Sequence, residues 1–204
     1  MIGRDETRRA LSNYVETPVA LLMSRMGLTP NIVTIIGLLI AVAAAYLIGV
    51  GLLWAGGIVA LFAGIFDMFD GALARATGRA SNFGALLDST IDRVSEAVVL
   101  LGVLAFYLTG DNDIGALLVY AALVGSIMVS YMRARSEGLG IECKVGVMQR
   151  PERVALTGLG LIVAHWIPVV MLIVLGIITA LTIFTAIHRL THTWRMLETE
   201  DRGT

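Results

Sequence analysis

Four aspartates, Asp67, Asp70, Asp88 and Asp92, stand inside two otherwise apolar segments of the chain. The first two are three residues apart and the last two are four apart, so on helices each pair shares one face. Gly71, Ala74 and Arg75 continue the first face, and Gly84 extends the second backwards. The spacing predicts that the two faces look at each other across a short turn and form one acidic pocket. A carboxylate within a membrane span costs about 2.5–3.5 kcal/mol on insertion scales, so four of them call for counter-charge. No cluster of Cys or His accompanies them. An all-oxygen donor set suits a hard cation such as Mg2+, Mn2+ or Ca2+. Four carboxylates can neutralise two divalent ions about 3.5–4 Å apart, an arrangement suited to phosphoryl chemistry. Gly71 and Ala74 leave their helix face bare, so a bulky ligand can approach the backbone. Arg75 offers a planar fork for phosphate. The plainer reading pairs the acids with Arg75, Arg79 and Arg93, and the depth of Asp92 in its span speaks against it.

The elements that position these acids follow from composition and hydropathy. The 204 residues are 57% hydrophobic and 15% charged, with mean hydropathy +0.82. That excludes an ordinary soluble domain and predicts an all-α, multi-span membrane protein. The net charge of −1 carries no information about partners, and nothing in the chain points to nucleic acid. A single cysteine, Cys143, rules out an internal disulfide. The N-terminus opens on charges rather than on a short apolar run, so no signal peptide is expected.

Residues 5–25 read as an amphipathic helix at the membrane surface, restarting at Thr17-Pro18. Thr29 and Pro30 then cap and open the first span, about 31–50. Further spans are expected at about 54–75, 82–108 and 114–134, from Pro151 onward, and at about 168–188. A polar tail follows from Arg189, helical at its start. One membrane domain, 1–204, results: an interfacial helix over 1–28, a six-helix bundle over 29–190 and a cytoplasmic tail over 191–204. Gly56, Ala60 and Gly64 form a small-residue stripe suited to close helix packing and to a homodimer.

Lys and Arg are absent from the turns at 50–55, 109–113 and 165–168. They gather in the N-terminal helix, the 76–81 loop, the 136–150 loop and the tail. The positive-inside rule therefore predicts that the pocket and both termini face the cytoplasm, in the cell membrane. Asp92 lies ten residues into its span, about 15 Å along the axis. A polar cavity must reach that depth.

The run D-x2-D-G-x2-A-R-x8-G-x3-D-x3-D, from Asp67 to Asp92, resembles the signature of the CDP-alcohol phosphotransferase family at every fixed position. The resemblance implies transfer of a phosphatidyl-type group from a CDP-linked lipid to an alcohol, releasing CMP. It implies two Mg2+ ions, with Mn2+ as a substitute, held by Asp67, Asp70, Asp88 and Asp92. Asp92 would also be the general base. Pro30, Asn31, Thr34, Gly71, Ala74, Arg75 and Ser81 would border the CDP-lipid.

The stretch K-x-G-x3-R-P-E-R, Lys144 to Arg153, resembles members that use inositol phosphate. It implies that Arg135, Arg153 and Arg195 hold an acceptor phosphate, with inositol 1-phosphate as the expected acceptor. Two alternatives stand beside this reading. One is the same chemistry with glycerol 3-phosphate or another alcohol. The other is a divalent-cation transporter, which the lack of repeated halves disfavours. The expected partners are the CDP-linked lipid, a small polar alcohol phosphate, membrane lipids and a second copy of the chain.

Overall fold

A computed structural model describes residues 17–201 of the chain. The described residues form eight helices: α1 (Thr17–Arg25), α2 (Pro30–Gly49), α3 (Leu53–Phe66), α4 (Met68–Thr77), α5 (Asn82–Thr109), α6 (Asp113–Glu137), α7 (Arg150–Ala164) and α8 (Val169–Asp201). The short helix α1 falls within the 5–25 stretch expected to form a surface helix. The part of that stretch before residue 17 lies outside the described residues. Of α1, Ala20 is buried with Val33, Ala72 and Leu73, while Leu21 and Leu22 stay exposed. This short helix is therefore seated on α2 and α4 through Ala20 and the half-buried Met23, with Leu21 and Leu22 outward.

Local chemistry sets the helix starts. The Thr29 hydroxyl accepts from the Ile32 N–H and Pro30 opens α2. Ser81 accepts from the Gly84 N–H at 3.0 Å and starts α5. Asn112 does the same for α6 through the Gly115 N–H at 2.9 Å. Pro151 stands in the first turn of α7.

Packing depends on side chains too small to hold the backbones apart. A Cβ on Gly57 would lie 2.7 Å from the Gly158 carbonyl oxygen of α7, and one on Gly102 would lie 2.5 Å from the Ala45 carbonyl of α2. Gly56 meets Ile48 of α2, and Gly64 meets Val154 of α7. The small-residue stripe is thus used inside the chain, which removes the argument from it to a homodimer. Below these contacts, Ile48, Leu100, Val103, Val119, Leu161, Leu175 and Ile178 make one continuous apolar core.

Four stretches are long and apolar enough to cross a membrane: α2, α3 with α4, α6, and α8. Among the described residues α5 and α7 fall outside that description. Asp88, Asp92, Arg93 and Glu96 load the first half of α5 with charge. The 15 residues of α7 reach only about 22 Å.

Two boundaries differ from the expected ones. The span expected to run unbroken over 54–75 divides at Asp67, which ends α3 and begins α4. The last helix does not stop near 188: α8 runs 33 residues, about 50 Å. The expected tail is helical through Asp201, and within it Thr193 is buried and exchanges a 2.6 Å hydroxyl contact with Ser136 of α6.

Candidate active site

The acids are presented by the division at Asp67 and by the first half of α5. Asp70, in the first turn of α4, is 5% exposed. It accepts from the Thr34 hydroxyl at 2.7 Å and from the Gly71 N–H. Thr34 is anchored in turn, because its hydroxyl also lies 3.1 Å from the Pro30 carbonyl. The first turn of α2 thereby fixes the Asp70 carboxylate. Asp67 projects against α2 at Gly37, where a Cβ would lie 2.5 Å from its Oδ1. Only glycine leaves that carboxylate its place.

A cavity of about 200 Å3 opens at the ends of α2, α4 and α5. Its lining contains Pro30, Asn31, Thr34, Gly71, Ala74, Arg75 and Ser81, all seven residues expected to border the CDP-lipid. Asp70 and Asp88 face into it, and Arg79 and Gly84 complete its rim. Two carboxylates and two guanidinium-bearing side chains in its lining give it both signs of charge.

Asp67 and Asp92 are engaged differently. The guanidinium of Arg150, the first residue of α7, donates Nη2 to Asp67 Oδ2 at 2.5 Å and Nη1 to Asp92 Oδ1 at 2.7 Å. One arginine thus joins the division between α3 and α4 to the middle of α5. Among the described residues, no three His, Cys, Asp or Glu groups converge closely enough to hold a metal ion. The four acids lie near one another, Asp70 and Asp88 on the cavity and Asp67 and Asp92 on Arg150. Repulsion between buried carboxylates is relieved by a cation from a distant segment. The same observation tests the fit of a divalent ion. The donors are all oxygen, they come from two facing elements, and the site already holds positive charge between two of them. Hard divalent cations suit that set.

The expected acceptor residues are more scattered. Arg135 and Arg195 are exposed. Arg153 is 2% exposed and grips Glu96 with both arms, Nε at 2.6 Å and Nη2 at 2.7 Å. Among the described residues that line the cavity, Arg135, Arg153 and Arg195 are not found. Arg189 is 3% exposed and donates to the Val145 carbonyl at 2.9 Å and the Val129 carbonyl at 2.6 Å. With Thr185, which accepts from the Met148 N–H at 3.2 Å, it ties the segment before α7 to α8.

Sequence reasoning missed the use of Arg150 and the presence of Glu96 in this network. A signal existed for Glu96, which lies four residues after Asp92 on the same helix face. For Arg150 the only pointer was its place beside Pro151.

Residues 27–194 match the sequence model described as CDP-alcohol phosphatidyltransferase. Among curated proteins, the phosphatidylinositol phosphate synthase of Mycobacterium tuberculosis is 38% identical over 194 residues, covering 91% of this chain and 88% of that protein. The archaetidylinositol phosphate synthase of Methanothermobacter thermautotrophicus is 35% identical over 195 residues, covering 95% of each. Among solved structures, M. tuberculosis phosphatidylinositol phosphate synthase with CDP-DAG bound superposes with a TM-score of 0.81 at 34% identity, over 88% of this chain and 94% of that one. The same protein in complex with manganese and citrate gives a TM-score of 0.81 over 88% of this chain and 89% of that one.

Proposed function

The chain belongs to the CDP-alcohol phosphatidyltransferase family, and we propose that it moves a phosphatidyl-type group from CDP-diacylglycerol to the hydroxyl of inositol 1-phosphate, releasing CMP. The observation that carries the reading is the gathering of all seven expected donor-lipid residues on one cavity with Asp70 and Asp88. The names of the similar proteins support the acceptor, and the manganese complex supports a divalent ion.

In this reading the cytidine diphosphate enters beside Gly71 and Ala74, where small side chains leave room, and Arg75 and Ser81 meet its polar groups. Asp67, Asp70, Asp88 and Asp92 would hold two Mg2+ ions, or Mn2+ in their place. Bound there, such ions offset the negative charge that gathers on the diphosphate and the departing CMP. Asp92 takes the proton from the acceptor hydroxyl while its oxygen attacks the lipid-side phosphorus. The bond to CMP breaks on the opposite side, and CMP leaves as the phosphate monoester.

Arg135, Arg153 and Arg195 remain the proposed contacts of the acceptor phosphate. Arg153 can serve only while shared with Glu96. Its Nη1, 3.5 Å from the Met148 carbonyl, is the donor left for an anion.

The membrane arrangement belongs to the same proposal. α5 and α7 complete six spans, because Asp88 of α5 faces the cavity, Asp92 and Glu96 are paired with Arg150 and Arg153, and α7 is packed between α3 and α8. The bundle stands in the cytoplasmic membrane with the cavity facing the cytoplasm.

The test is CMP release from CDP-diacylglycerol in detergent with Mg2+ or Mn2+. The acceptors compared are inositol 1-phosphate, free inositol and glycerol 3-phosphate. Inositol 1-phosphate is expected to give the highest kcat/KM by at least tenfold. Equal use of free inositol would remove the phosphate site, and preference for glycerol 3-phosphate would transfer the reading to that acceptor.

A further inference from the structure

We propose that Arg150 is a built-in placeholder cation, which holds Asp67 and Asp92 together before a divalent ion arrives and competes with that ion for them. The inference rests on the reading that these acids take part in binding divalent cations, and adds what the chain does without them.

Three observations carry it. First, the guanidinium uses two different nitrogens for two carboxylates from separate elements, at 2.5 Å to Asp67 and 2.7 Å to Asp92. Those oxygens cannot accept a bidentate guanidinium and also give their full charge to a divalent ion. Second, the fit is incomplete for arginine. Its buried Nε finds no acceptor among the described residues. A structural ion pair is normally satisfied at all its donors, because an unpartnered buried donor carries a desolvation penalty. The neighbouring Arg153 makes the contrast, with Nε and Nη2 both on Glu96.

Third, only the side chain has to move. The backbone before Arg150 is pinned to α8 through Thr185 with the Val147 and Met148 N–H groups, and through Arg189 with the Val145 carbonyl. Gly146 there is backed by the Thr185 methyl, 2.4 Å from where a Cβ would sit. One turn later, Arg153 fixes α7 to α5. Arg150 can therefore leave the acids by rotating its own side chain while α7 keeps its place.

The physical role is clear from charge. Carboxylates packed this closely repel one another, and a chain must fold before it can collect ions. An arginine supplies counter-charge from within and yields to a doubly charged ion.

The experiment measures Mn2+ binding by electron paramagnetic resonance and Tm by thermal unfolding, on the full chain in detergent. The proteins are the wild type, Arg150→Gln and Arg93→Gln. Arg93 is the control: it adjoins Asp92 in sequence, yet its guanidinium rests on the Ser89 carbonyl. Arg150→Gln is expected to bind Mn2+ at least tenfold tighter than the wild type. Its Tm should fall in EDTA and be nearly unchanged at saturating Mn2+. Arg93→Gln should alter Mn2+ affinity less than threefold.

An unchanged Mn2+ Kd in Arg150→Gln would overturn the proposal. So would an equal loss of Tm with and without Mn2+, or an equal tightening in Arg93→Gln, which would signal general charge rather than competition. If Arg150→Gln fails to fold even with Mn2+, Arg150→Lys decides. A point charge that cannot span both carboxylates should bind Mn2+ between threefold and tenfold tighter, and wild-type affinity would overturn the proposal. Absence of saturable Mn2+ binding in the wild type would instead sink the metal reading on which the proposal stands.

Discussion

A single hydroxyl decides how Asp70 is presented. Thr34 takes one of its oxygens, Gly71 N–H takes the other, and the carboxylate is left facing the cavity in one orientation. Asp92 has a different setting, since Arg150 holds it at 2.7 Å. Replacement of Asp92 by Asn keeps the shape and removes the proton acceptor. Turnover of Asp92→Asn should fall by about 10²–10⁴-fold, with CDP-diacylglycerol affinity reduced less than tenfold. Single-turnover kinetics with a parallel binding isotherm checks this, and a near-normal rate would assign the base elsewhere. At this scale the sequence was informative where residues lie close along the chain. The four aspartates, Gly71, Ala74 and Arg75 fall on helix faces that spacing alone defines, and the structure gathers their neighbours on the cavity. It was uninformative for the pairs that neutralise them. Arg150 meets Asp67 across 83 positions and Arg153 meets Glu96 across 57, and no periodicity connects residues so far apart.

Helix by helix, apolar length and cap chemistry announced most starts. Thr29 and Ser81 do what their positions suggest. The division at Asp67 had no such announcement, because Phe66, Asp67 and Met68 contain neither Gly nor Pro. It is a consequence of tertiary placement, with Asp67 lodged against Gly37 and held by Arg150. The length of α8 was hidden for the opposite reason. A polar segment reads as solvent-exposed, yet Arg189 and Thr193 are buried by bonds to α6 and to the segment before α7. The small-residue stripe was legible as close packing, but not which helix it packs against. The pairing of α3 with α7 at Gly57 and Gly158 gives a prediction. Gly57→Val would drive side-chain carbons into the Gly158 carbonyl and Ile162. Overpacking of this kind costs about 1–3 kcal/mol, so Tm in detergent should drop by several degrees. Gly176→Ala, with nothing within 4 Å of its added Cβ, should leave Tm within about one degree. Equal Tm values for the two variants would mean that the α3–α7 contact is looser than described.

For the molecule as a whole, charge asymmetry gives an orientation that can be measured. The turns at 50–52, 110–112 and 165–168 carry no Lys or Arg, whereas the opposite end has Arg25, Arg75, Arg79, Arg133, Arg135, Lys144 and Arg150. The cavity opens at that basic end, with Arg75 and Arg79 on its rim. Lys and Arg flanking short loops are retained on the cytoplasmic side, and a water-soluble CDP headgroup and alcohol phosphate would then reach the acids without crossing the bilayer. Cysteine labelling reads this directly. Cys143 is buried, and Cys143→Ser supplies a background free of thiols, since it is the only cysteine. On that background, Lys144→Cys places a thiol where the side chain is 73% exposed, and Ile167→Cys places one at the other end at a position 52% exposed. In intact cells a membrane-impermeant maleimide should label Ile167→Cys and leave Lys144→Cys unmodified. Permeabilisation, or inverted vesicles, should expose Lys144→Cys. The reverse pattern would place the cavity outside the cell and would require both substrates to be delivered there. It would also break the link between basic loops and the cytoplasmic face on which the orientation rests.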